Sequence, residues 1–124
     1  MVKIYTTPSC TSCRKAKIWL EEQGIHYVEI KLFEVKLSDA EVDLMLHHSS
    51  NGFEDILSVR SKVFKNQKKT LDDMSYNELK EFIKENPTVL KRPIILDKTK
   101  MEVGFNGENI RVFVPKERRQ EDSN

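Results

Sequence analysis

The stretch that decides the fold runs from residue 2 to residue 30 and reads VKIYTTPSCTSCRKAKIWLEEQGIHYVEI. It opens on a β-branched and aromatic run, VKIYT, the composition of a short strand, and Thr7 and Pro8 follow as a turn signal. From Thr11 the apolar spacing becomes helical. Ala16, Trp19 and Leu20 form one stripe, and Gly24 stands where a left-handed C-terminal cap is expected. IHYVEI then reads as a second strand. Strand, helix and strand within about 30 residues is the length of a parallel βαβ unit. Cys10 and Cys13 fall at its first strand-to-helix junction, with Arg14 immediately after.

Working outward, SDAE at 38–41 is a capping box ahead of apolar Val42, Met45 and Leu46, and SYNE at 75–78 repeats it ahead of Leu79, Phe82 and Ile83. Pro87 stops that second run. Residues 38–88 are therefore expected to be mainly helical. RPIIL and EVGF, separated by the turn DKTK, suit an antiparallel hairpin, and ENIRVFV a last short helix. The order predicts an α/β fold with a mixed sheet and a helical insertion. One domain over 1–124 is expected: a core from about 1–35 and 89–115, the insertion over about 38–88, and a disordered charged tail over about 116–124.

Composition narrows the function. Lys and Arg total 21 against 20 for Asp and Glu, so no summed field draws the chain to nucleic acid or to an anionic membrane. No run approaches the roughly 18 apolar residues of a membrane span, and MVKIYTTPSC reads as a strand, not a secretory signal. A cytoplasmic location is expected. There thiols are mostly kept reduced, so a lone Cys pair is better explained as reactive or metal-binding than as a staple.

The chemistry of the pair follows from its place. A thiol of ordinary pKa is only about 3% thiolate at neutral pH, and the thiolate is the reactive form. Cys10 sits where a helix exposes free amides and the positive end of its dipole, with Arg14 about one turn in. Cys13 is then positioned as a resolving thiol. Zinc needs two further ligands, and His26, His47 and His48 are poorly placed to supply them. No metal and no cofactor is expected. Arg60, Arg92 and Arg111 come from separate segments that only the fold can gather. Pro93, after Arg92, is a candidate cis-proline.

Four segments in order, YTTPSCTSCRKAKIWL, NGFEDILSVRSK, LKRPIILD and EVGFNGENIRVFVP, resemble the Spx regulators of Gram-positive bacteria over roughly residues 1–115. Those regulators are similar in fold to glutaredoxin-type arsenate reductases (ArsC) and share their thioredoxin-like core. The resemblance implies a redox-sensing global regulator of stress-response transcription. Such a protein docks on the C-terminal domain of the RNA polymerase α subunit and reaches promoter DNA only through polymerase. It implies that Cys10 and Cys13 form the switch disulfide, that Gly52 contacts polymerase, that Arg60 and Lys62 serve activation, and that Arg92 responds to redox state. Gly52 follows Asn51 at a loop-to-helix corner, where a missing Cβ allows positive φ or close approach of a partner. The ClpXP protease and its adaptor are the other implied partners. The family's tail is commonly longer and ends in small apolar residues, whereas this one reads RRQEDSN, and residue 91 is Lys where Arg is frequent.

Arsenate reduction is the alternative, because Arg60, Arg92 and Arg111 also match the oxyanion-binding arginines of the related enzymes. Those enzymes resemble Cys-Gly-Thr-Ser-Arg at the nucleophile, and Thr11 and Cys13 depart from it. Glycine lets amides wrap an anion, and a second thiol favours internal disulfide closure. A general disulfide reductase is a third reading, without WCGPC-like surroundings to support it.

Overall fold

The computed structural model describes residues 1–58 and 71–118. Strand β1 (Val2–Thr6) leads into helix α1 (Thr11–Glu22) and strand β2 (Tyr27–Lys31), and β1 and β2 pair in parallel with Val2 opposite Tyr27 and Thr6 opposite Lys31. The βαβ unit expected from the sequence is thus present. Helix α1 ends as its residues dictate. Gly24 takes φ +67°, the Gly24 amide donates to the Glu21 carbonyl and the Ile25 amide to that of Leu20, the double bond pattern of a Schellman cap.

Helices α2 (Asp39–His47) and α3 (Tyr76–Glu85) follow, each opened by a complete capping box, Ser38 with Glu41 and Ser75 with Glu78. Short 3₁₀ turns at Gly52–Asp55, Leu71–Asp73 and Pro87–Val89 fill in between and after them. Lys80 bridges to Asp43 at 2.9 Å and Lys84 to Asp39 at 2.8 Å, tying α3 to α2. Strands β3 (Ile94–Leu96) and β4 (Met101–Val103) form the antiparallel hairpin, and β3 pairs antiparallel with β1, giving a mixed sheet in the order β2-β1-β3-β4.

The hairpin strands are shorter than RPIIL and EVGF. Pro93 has no amide to give a ladder, and Gly104 turns away at φ +82°. The last helix is a 3₁₀ segment, Asn109–Phe113. Of the tail, Lys116 to Arg118 make a helical turn, and the Arg118 guanidinium donates to the Gln23 carbonyl. The Arg92–Pro93 peptide bond is cis. Among the described residues no helix is long and apolar enough to cross a membrane.

Strand alternation divides the core. Tyr5, Ile94 and Leu96 face the helical layer with Val42, Met45, Leu79 and Ile83, while Val2, Ile4 and Ile95 face α1 and the last 3₁₀ segment with Ala16, Leu20, Ile110 and Phe113. The sheet is covered on both sides, so β3 is apolar and buried throughout and β1 is buried at every position but Lys3. The end of β1 and the start of α1 are thereby fixed from both faces.

Candidate functional site

Cys10 is the N-cap of α1. Its backbone is extended (φ −103°, ψ 105°), and its Sγ accepts the Cys13 amide at 3.1 Å. The two cysteines are joined in a disulfide with Cα atoms 5.2 Å apart, within the span that a bridge requires. Cys10 is half-buried, whereas Cys13 is only 2% exposed. No acidic residue occupies the first turn of α1, so nothing there offsets its positive end. A Cys10 thiolate released by reduction would meet one aligned amide and that dipole, both of which favour the charged form.

A cavity of about 320 Å³ opens on the pair, lined among others by Thr6, Arg14, Lys17, Glu29, Lys31 and Phe33. Arg14 donates to Thr11 Oγ1 at 3.2 Å, and among the described residues no hydrogen bond joins its guanidinium to either sulfur. Beneath it lies a polar group that the sequence reading missed. Glu29 accepts from Thr6 Oγ1 at 2.7 Å and from Lys17 Nζ at 3.1 Å. Burial pushes the Glu29 carboxyl up, but the bonds from Thr6 and Lys17 and the charges of Lys17 and Lys31 outweigh it and hold it below its ordinary range. The signal was present in YVEIK, where strand alternation puts Tyr27, Glu29 and Lys31 on one face.

The remaining named residues are distributed elsewhere. Gly52 is exposed at φ +66°, and a Cβ built there meets nothing within 4 Å. The Asn51 amide and side chain donate to Asp55 at 2.9 and 3.3 Å, closing the corner around it. Those bonds lead the forces that hold Asp55 below its ordinary carboxylate range. A second cavity, about 650 Å³, lies beside that corner, with Asp55, His48, Lys91, Arg92 and Glu102 in its wall. Arg92 donates to the carbonyls of Thr88 and Leu90 at 2.8 and 3.3 Å. Arg111 is exposed on the last 3₁₀ segment. Neither Arg92 nor Arg111 lines the cysteine cavity. Arg60 and Lys62 lie outside the described residues. Among the described residues no three His, Cys, Asp or Glu converge as a metal site.

Fold and site together define a thioredoxin-like α/β protein with a disulfide-forming Cys-x-x-Cys pair capping a helix. The chain belongs to the ArsC family, whose sequence model matches residues 5–113, and within it to the Spx group. It is 43% identical over 122 residues to the global transcriptional regulator Spx of Streptococcus agalactiae serotype V, covering 98% of this chain and 89% of that protein. To Spx of Bacillus subtilis strain 168 it is 44% identical over 116 residues, covering 94% and 88%. Among solved structures, the arsenate reductase from Vibrio cholerae shares the fold with a TM-score of 0.70 and 22% identity, over 90% of this chain and 92% of that one.

Proposed function

We propose that the protein is a redox-sensing global transcriptional regulator, switched by the Cys10–Cys13 thiol/disulfide pair. It docks on the C-terminal domain of the RNA polymerase α subunit and controls stress-response transcription from the cytoplasm, reaching promoters through polymerase. The observation that carries this reading is a closed Cys10–Cys13 disulfide at the start of α1 in a chain 43% identical over nearly its whole length to an Spx regulator. Gly52 supports it as the contact, being exposed, open on its Cβ side and held on a corner braced by Asp55. Arg92, beside that corner, and Arg60 and Lys62 are proposed to adjust docking, and ClpXP with an adaptor to remove the protein.

The test is calorimetric titration of the isolated α C-terminal domain with oxidised and reduced protein. Binding is expected in at least one form, and Gly52→Arg is expected to abolish it while circular dichroism stays unchanged. No heat of binding in either form overturns the reading.

The fold shared with an arsenate reductase favours a second reading, reduction of arsenate by Cys10. It requires arginines around the thiolate, and Arg92 is instead bonded to the carbonyls of Thr88 and Leu90. Turnover of arsenate by purified protein with glutathione or thioredoxin would establish it; none is expected.

A further inference from the structure

We propose that the Cys10–Cys13 disulfide is set by exchange with low-molecular-weight thiols that carry a carboxylate, and that Lys31 and Arg14 select them. The proposal rests on the reading of the pair as a redox switch and names what sets it.

Three cations, Arg14, Lys17 and Lys31, line the cavity on the sulfurs, against one carboxylate, Glu29. Glu29 is occupied by Lys17 and Thr6, so that pair is close to neutral. The Arg14 guanidinium bonds only the neutral Thr11 hydroxyl among the described residues. The Lys31 ammonium acts on Glu29 through its field alone and has no hydrogen-bond or ion-pair partner among the described residues. Two cations are therefore left uncompensated beside the positive end of α1. A neutral oxidant such as peroxide is not drawn in by their charge, whereas an anionic thiol is drawn in by each. Phe33, 54% exposed at the rim, offers such a molecule an apolar contact, and about 320 Å³ admits one of tripeptide size.

Access fixes the order of events. Cys13 is shielded, so the incoming thiolate attacks Cys10 Sγ. A bond forms between the two sulfurs, the Cys10–Cys13 bond breaks, and its electron pair leaves on Cys13 Sγ, which takes a proton from solvent. A second thiolate attacks the external sulfur, releasing the small disulfide and leaving Cys10 as a thiolate that accepts the Cys13 amide. Two small thiols are oxidised and one protein disulfide is reduced, and the small disulfide drives the reverse. The switch then reports the poise of an acidic thiol pool.

The test compares reduction of the oxidised protein by glutathione and by its diethyl ester, which has the same thiol with both carboxylates masked. Each rate is divided by that of the same thiol on uncharged 2-hydroxyethyl disulfide, which removes differences in nucleophilicity. At low salt the normalised ratio is expected to favour glutathione about five-fold, to fall toward one with added salt, and to fall likewise in Lys31→Gln and in Arg14→Gln. With Cys13→Ser, glutathione disulfide is expected to leave a mixed disulfide on Cys10. A ratio near one in the unaltered protein, or one that neither salt nor either variant changes, overturns the proposal. No polymerase is present, so failed docking on the α subunit leaves this result standing, and a ratio of one leaves docking standing.

Discussion

Cys10 and Cys13 are separated by one helical turn and by their access to solvent, and under the proposed redox function that difference divides their roles. The half-buried Cys10 would meet the oxidant, and the shielded Cys13, its amide already aimed at Cys10 Sγ, would close the bridge. Mild peroxide applied to the reduced protein should yield the Cys10–Cys13 disulfide, reversed by dithiothreitol. Mass spectrometry showing overoxidised Cys10 beside free Cys13 would refute the resolving role. Glu29 makes a second prediction. Its carboxyl is held below its ordinary range by Thr6 and Lys17. Its contribution to stability is therefore complete above its unfolded pKa of about 4.3 and is lost as pH falls through the lower folded value. Glu29→Gln should flatten the acid limb of the stability curve between those two values. An unchanged acid limb would show that the Lys17 pair contributes nothing to folding.

Among the elements, the best-specified ends are those whose signals are local. SDAE and SYNE each hold both partners of a capping box within four residues, and Gly24 alone supplies the left-handed turn after α1. These were legible without tertiary knowledge because the hydrogen bonds close within a few residues. Ser75→Ala should therefore destabilise the protein by about 1 kcal/mol, seen as a lower urea midpoint at constant slope, since the substitution removes the Oγ that takes the Glu78 amide. A shift indistinguishable from zero would mean that α3 is held by its buried face alone. The site reads differently. The cation-rich cavity needs Thr6 opposite Lys31 in the parallel pair and Lys17 folded back from α1 onto Glu29. Those residues lie far enough apart in sequence that only the register of β1 on β2 brings them together. Arg92 shows the converse: its place in the sequence suggests a role at the cysteines, whereas its guanidinium donates to the carbonyls of Thr88 and Leu90 and it lines the other cavity.

For the whole molecule, the mixed sheet acts as a partition with one apolar cluster on each side, joined through adjacent residues such as Ile94 and Ile95. Both clusters share the same two central strands, so neither side has a sheet of its own to fold upon. The helical insertion is therefore expected to unfold with the core as one unit. Leu20→Ala removes a fully buried side chain on the α1 side, and Ile83→Ala one on the helical side. Each should cost about 2 to 5 kcal/mol. Trp19, the single tryptophan, packs against the α1-side cluster, while far-ultraviolet dichroism reads all helices. In urea the two signals should trace one transition in the unaltered protein and in both variants. Ile83→Ala is the informative case, because its lesion lies across the sheet from the fluorophore. Loss of dichroism ahead of fluorescence in that variant would divide the chain into two folding units. It would also mean that a change at Gly52, on the helical side, is not mechanically coupled to the cysteines at the start of α1. Coincident curves would place the cysteine pair and the proposed docking corner in one cooperative body, through which closing or opening a disulfide is able to act on a surface distant in sequence.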